Sequence, residues 1–221
     1  MKQYVALIKF SKYHHIVALR DEGHLHCETL NYFSKLEDNS VRGDKFETIS
    51  EMRYMENFIV KFKNVGAPDS DYRIFKGING NIFNSEENMS NIFCLYSLRF
   101  KSENLKQQYV IPEECKGIAD SYLVITDPKE FLIRIQSTLE KLKLNGRYGF
   151  VAYKDFSKFT GKKTYFEKDI HFSPQNEFRI LIDNISSSVL DIKIGSIADI
   201  SHIGYCNDLD SISFYDNEDK T

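Results

Sequence analysis

Hydrophobic and polar positions along this chain predict many short strands and few helices. Tyr4 to Phe10 is a near-continuous apolar run of strand length with one cation, Lys9, near its end, the pattern of a buried strand. Ser11 is placed to cap a short helix over about 12–22, which Gly23 stops. A short strand is expected at His24–Cys27. Residues 28–57 have weak periodicity and many turn formers, so they read as an irregular binding loop. Phe58–Phe62, Tyr72–Phe75 and Ile78–Phe83 read as strands, with Asn79-Gly80 as a hairpin signal. Ile92–Phe100 and Ala119–Thr126 are strongly apolar strands. Asp127-Pro128-Lys129-Glu130 is a helix start, with an N-cap aspartate, proline at the first position and glutamate three residues on. Phe131, Ile135, Leu139 and Leu142 follow at helical spacing, and Asn145-Gly146 ends the helix.

After a strand at Tyr148–Tyr153 and a basic loop at Lys154–Lys163, the pattern turns to alternation. A strand is expected from Gln175 to Ile182. Phe178, Ile180 and Ile182 share one face, and Gln175, Glu177 and Arg179 share the other. Val189–Ile194 also alternates and is expected to pair with Arg179–Ile182. Gly195–Ile203 reads as a short helix or strand.

The pattern implies one α+β domain over residues 1–214, a split and largely antiparallel mixed sheet with few helices, and an acidic frayed tail at 215–221. A chain of 221 residues is long enough for one sizeable core. Aromatic residues make up 14%, with 17 Phe, 13 Tyr and no Trp, which favours a sheet-rich fold. The net charge of −3 supplies no global basic field for an extended duplex, but it permits a local groove. The four cysteines form no CxxC motif, so neither a zinc ribbon nor a thioredoxin motif is expected. No window approaches the ~20 apolar residues of a membrane span, and the N-terminus has no apolar leader, so a cytoplasmic, membrane-free protein is expected.

Four constellations are candidates for chemistry. Gln175-x-Glu177 sets an amide beside a carboxylate, an arrangement that suits glycosidic cleavage of NAD. The carboxylate would hold a ribose hydroxyl and stabilise the oxocarbenium ion, and the amide would contact the acceptor. The alternative is an exposed polar strand face with a Glu–Arg pair. Lys9, Ser97 and Arg99 are polar groups at the ends of apolar strands, where ligands are presented or where cations snorkel outward. Arg42-Gly43-Asp44 with Glu47 reads as a phosphate or substrate clamp, or as a turn with a solvated salt bridge. His24-x-His26 puts two imidazoles on one strand face, but no third ligand follows and no metal site is expected. No GxSxG, HExxH, P-loop or Rossmann fingerprint is present.

Several stretches in order resemble one group of proteins. They are the Lys9-Phe10 strand, Gly23-x-Leu25, Leu30-x-Tyr32-Phe33, Arg42-Gly43-Asp44 with Glu47, Phe93-Cys94-Leu95-Tyr96-Ser97, and Phe166-x-Lys168 followed by Gln175-x-Glu177-x-Arg179. Their order is similar to that of bacterial and phage-associated proteins of ADP-ribosyltransferase-like architecture, over roughly residues 4–182. In that fold three blocks meet around NAD: a basic residue or histidine on the first strand, a serine-containing middle strand, and a Gln/Glu-x-Glu motif near the end. The resemblance implies Glu177 as the catalytic carboxylate and Gln175 as the group that orients the acceptor. Lys9, or His14 or His15 in its place, would hold an NAD phosphate or ribose. Ser97 would support Glu177, Tyr96 would line the NAD site, and Arg42, Asp44, Tyr32 and Arg179 would contact substrate. The chain departs from the pattern in lacking a first-strand arginine and in reading Leu95-Tyr96-Ser97 where the family has Ser-Thr-Ser.

Such proteins are often toxins of defence or toxin–antitoxin systems. That implies an antitoxin or regulatory partner and an acceptor on RNA, DNA or protein. The loop carrying Lys154, Lys158, Lys162 and Lys163, interleaved with Tyr153, Phe156, Phe159 and Tyr165, is a candidate for holding single-stranded nucleic acid. The rival readings are a non-enzymatic protein that blocks a partner, and a metal-dependent nuclease toxin using Asp44 and Glu47.

Overall fold

The alternating and apolar runs assemble into a mixed α+β domain with mostly antiparallel strands and few helices, seen in a computed structural model that describes residues 3–36, 43–66, 68, 72–85, 90–101, 106–117, 119–184 and 188–215. The strands of the first half are β1 (Gln3–Ser11), β2 (His24–Thr29), β3 (Ile49–Glu56), β4 (Ile59–Phe62), β5 (Arg73–Lys76), β6 (Asn79–Ser85), β7 (Ser90–Lys101) and β8 (Gln108–Val110). Those of the second half are β9 (Ser121–Ile125), β10 (Asn145–Phe150), β11 (Ala152–Lys154), β12 (Gly161–Lys162), β13 (Glu167–Asp169), β14 (Glu177–Asp183), β15 (Leu190–Lys193), β16 (Ser201–Tyr205) and β17 (Ser211–Ser213). The helices are α1 (Tyr13–Glu22), α2 (Leu30–Ser34), α3 (Glu113–Lys116) and α4 (Pro128–Leu142).

The main sheet runs β10-β14-β7-β1-β9-β16, with β2 and β15 attached to its side. Its two faces are both covered. On one, α1 and α4 pack Ile16, Leu19, Phe131, Ile135 and Leu139 against Leu7, Phe93, Leu95, Leu123, Phe178 and Ile180. Burying each such side chain contributes roughly 1.5–3 kcal/mol. On the other face, Ile8 and Leu98 pack with Ile111, Cys115 and Leu209.

α4 forms as its sequence predicts. Asp127 Oδ1 accepts from Glu130 N at 3.0 Å, and Pro128 occupies the first helical position. α1 ends at Gly23, in the left-handed region with φ 62°, as expected, although its N-cap is Lys12 and not Ser11.

Several expectations are corrected. Residues 28–57 are not one loop, since they contain α2 and β3. Asn79-Gly80 does not turn a hairpin: it lies inside β6, paired to Glu56 and Met55 of β3. β15 pairs with β2, not with β14, because an alternating strand fits any ladder with a matching apolar face and β7 already occupies that edge of β14. Asn145-Gly146 begins β10, and α4 stops earlier, at Leu142, with Lys143 as its C-cap. Gly195–Ile203 resolves into a 3-10 turn at Ala198–Ile200 and the start of β16.

The geometry that matters for function is a parting of strands. β1 pairs with β7 only as far as Ile8 opposite Tyr96, and then continues beside β9. β2 meets the same edge of β7 further along, at Glu28 opposite Ile92. Between them, Phe93, Cys94 and Leu95 have no strand on that edge among the described residues. The sheet is split there.

Candidate functional site

The split opens into a cleft of about 530 Å³, within the size range of small-molecule sites. β1 contributes Lys9, Phe10 and Ser11; β7 contributes Cys94 and Tyr96; the start of β14 and the turn before it contribute Gln175, Glu177 and Arg179. β2 adds His24, His26 and Glu28, and α2 adds Tyr32 and Phe33. Lys9 spans the split: its Nζ donates to the Cys94 carbonyl at 2.9 Å and sits 4.3 Å from the centroid of the Phe93 ring.

At one end of the cleft lies a buried ionic network. Arg179 is fully buried, and its Nε donates to Glu177 Oε1 at 2.5 Å. Its terminal nitrogens bind both oxygens of Glu47 and the Tyr165 carbonyl. Lys168 Nζ lies 3.0 Å from Glu177 Oε2 and 3.5 Å from Glu47 Oε1, and donates to Gln175 Oε1 at 2.8 Å. Two carboxylates and two cations thus neutralise one another out of water. Burial alone raises the Glu177 pKa, but Arg179 and Lys168 outweigh it and hold the carboxyl well below its ordinary range. Burial likewise lowers the Lys168 pKa, and Glu177 and Glu47 reverse this and raise it.

The residues around Glu177 are fixed in place. Its backbone N–H donates to the Tyr153 hydroxyl at 2.8 Å, and burial pushes that phenol's pKa up to about 12. Gln175 is not in the strand as expected. It ends a 3-10 turn spanning Ile170–Gln175, and Asn176 follows in the left-handed region with φ 40°. Ser97 holds that junction: its Oγ and its backbone N–H donate to the Asn176 carbonyl at 2.7 and 2.8 Å. The Asn176 amide donates back to the Ser97 carbonyl.

The expected site residues therefore divide. Lys9, Tyr96, Tyr32, Gln175, Glu177 and Arg179 all line the cleft. Ser97 acts on the backbone preceding Glu177 and does not line it. His14 is outside the cleft lining, with its ring 4.0 Å from that of His15, which does line it. Asp44 is buried; its Oδ1 accepts from Phe46 N, and its Oδ2 has no hydrogen-bond partner among the described residues. Burial, with Glu47 nearby, raises the Asp44 pKa. Arg42 lies outside the described residues, as does the tail from 216 onward.

Lys168 is the site residue that sequence reasoning gave no role. It sits in the charged run Glu167-Lys168-Asp169, which has the composition of a solvated strand. The basic loop is also different from expectation. Phe156 is buried against Phe46 and Phe159, Lys154 pairs with Glu167, and Lys163 is buried.

β2 carries a second polar row on the cleft wall. His26 Nδ1 is 2.7 Å, and His24 Nε2 2.9 Å, from Asp191 Oδ1 on the neighbouring β15. Among the described residues, no group of three or more His, Cys, Asp or Glu side chains is arranged to hold a metal ion. No helix there is long and apolar enough to cross a membrane. Comparison with protein-family models, with curated proteins and with solved structures finds no match to this chain.

Proposed function

We propose that this protein is an NAD-dependent ADP-ribosyltransferase, with NAD as substrate in the cleft and Glu177 as its catalytic carboxylate. One observation carries the reading. Three segments far apart in sequence, β1, β7 and the start of β14, are adjacent in the sheet and line one cleft with Lys9, Tyr96, Gln175 and Glu177. These segments carry the blocks that the resemblance to the transferase group implies around NAD, with the middle one entering the cleft through Tyr96 while Ser97 holds the backbone before Glu177.

In this reading the ionised Glu177 accepts a hydrogen bond from a ribose hydroxyl and stabilises positive charge developing on the ribose. The glycosidic C–N bond breaks, and its electron pair leaves with nicotinamide. The acceptor's lone pair then forms the new bond to the same carbon, and its proton passes to solvent. Gln175, anchored by Lys168, orients the acceptor. Lys9 holds a phosphate or ribose of NAD, Tyr32 borders the substrate, and Arg179, expected to contact substrate, is fully buried and instead holds Glu177 in place. The biological setting that the resemblance implies is a toxin of a defence or toxin–antitoxin system, with an antitoxin as partner and RNA favoured as acceptor over DNA or protein.

The test is transfer of label from NAD tagged on its adenylate half. Wild type and Glu177→Gln are each incubated with a cell lysate, with and without RNase, after circular dichroism has shown both to be folded. Label transfer by wild type, reduced at least 100-fold in the variant, is expected. RNase-sensitive label identifies an RNA acceptor. Absence of transfer from folded wild type overturns the reading and favours a non-enzymatic partner-blocking protein. Nucleic-acid cleavage that a chelator stops, and that needs no NAD, favours the nuclease.

A further inference from the structure

The ladder of β3 with β6 does not end at Glu56 and Asn79. Asn57 N donates to the Ile78 carbonyl and Gly77 N to the Phe58 carbonyl, each at 2.8 Å, and the ribbon continues into β4 and β5. The Phe58 ring lies on the Gly77 backbone so closely that a Cβ there would sit 2.2 Å from it. The base of the ribbon is anchored: β12 pairs with β3, and Phe46 packs on Phe83. Beyond that, β4 and β5 pair only with each other among the described residues.

This outer ribbon is apolar and exposed on both faces. Ile59, Phe62, Ile74 and Phe75 are each more than half exposed, Ile78 is 79% exposed, and Val65 is fully exposed. Exposed apolar surface this concentrated marks an interaction site, and a two-stranded ribbon alone is marginal in water. The ribbon is also basic. The described residues of its outer part, from 57 to 78, include Lys61, Lys63, Arg73 and Lys76 and no carboxylate, on a chain of net charge −3, while Glu51 and Glu56 lie on β3 at its base. Asp69 and Asp71, in the connecting segment, lie outside the described residues. The pairing puts Ile59 and Lys61 opposite Lys76 and Ile74 on one face, and Val60 and Phe62 opposite Phe75 and Arg73 on the other.

We infer that this ribbon is a docking arm for a partner polypeptide, a segment alternating acidic and apolar residues that adds as a strand along the free edge of β4 or β5. Strand addition satisfies the open backbone edge, and acidic side chains complement the cations on both faces. A second copy of the ribbon would bring like charges together. Phe62 and Phe75 pack edge-on against each other and offer a base only a small aromatic surface, whereas the other exposed apolar residues, Ile59, Val65, Ile74 and Ile78, are aliphatic and suit apolar peptide side chains better than bases. A membrane surface calls for one apolar and one basic face, whereas here both kinds of residue occur on each. The inference does not depend on the transferase reading.

The test places a photo-reactive phenylalanine analogue at Phe75 of the full chain, produced in its native cells, with the same analogue at Tyr148 on β10 as control. Crosslinked segments are identified by mass spectrometry. The expected result is a polypeptide segment of alternating acidic and apolar residues, crosslinked from position 75 and not from 148. Its synthetic peptide should bind the purified protein at least tenfold more weakly at high salt. Lys61→Glu combined with Arg73→Glu should lower crosslinking at least tenfold with an unchanged melting temperature. Crosslinks to nucleic acid, to lipid, to a second copy or to an uncharged segment overturn the inference, as does a lack of crosslinks from position 75.

Discussion

Arg179 has no solvent and two carboxylates to satisfy. Replacing it with methionine leaves Glu47 and Glu177 together out of water, with Lys168 as their remaining cation. Removing one partner from such a buried network costs about 3–5 kcal/mol, so Arg179→Met should unfold in urea with at least that loss. Arg179→Lys should not restore it, because an ammonium cannot reproduce the forked contacts. Asn176 makes a second prediction. It takes a left-handed conformation, which asparagine tolerates better than most residues. Asn176→Ala should lower stability by about 1–2 kcal/mol in denaturant titration. The pairing of Glu177 with Arg179 was legible in the alternation, since two residues apart on a strand share a face. Gln175 reaches the same neighbourhood by another route, a 3-10 turn and the Asn176 hinge, which periodicity cannot encode.

At the scale of elements, the most readable was α4, because a helix carries its own signals. Its cap, its proline and its apolar spacing are all local. Gly23 at the end of α1 was also readable, but the reason it must be glycine is tertiary. A Cβ there would sit 2.1 Å from the Gly195 carbonyl oxygen. Gly23→Ala therefore combines a left-handed φ with a backbone clash, and it should cost more than about 1 kcal/mol, read as a lowered melting temperature. Strand partners were less legible. β15 was expected beside β14 and lies beside β2, where Asp191 stands opposite His26. Backbone ladders carry no address, so which strand an alternating segment joins depends on which edge the rest of the sheet leaves open.

For the whole molecule, the cross-strand contact of His26 with Asp191 gives a pH signature. Burial lowers the His26 pKa, but Asp191 and Glu28 outweigh it and raise it above 6.5. Burial raises the Asp191 pKa, and His26 and His24 bring it below 3.8. The histidine's contribution is full below pH 6.5 and is lost as pH rises through its raised value; the aspartate's is present above 3.8 and is lost as pH falls through its depressed value. The stability difference between wild type and His26→Gln should therefore be largest between pH 3.8 and 6.5 and shrink in alkali, as melting temperatures across pH will check. Salt should reduce it, because both side chains are about half exposed. The sequence by itself determined the strand-rich class, α4 and its caps, and the face that Glu177 shares with Arg179, because each follows from spacing along a few residues. Only the tertiary structure decided where β1 parts from β7 and that Lys168 and Glu47 close the network around Arg179. It also decided that β4 and β5 stand out from the sheet. Those depend on which segments meet across long stretches of chain, and charge and periodicity in one segment do not say what it will face in another.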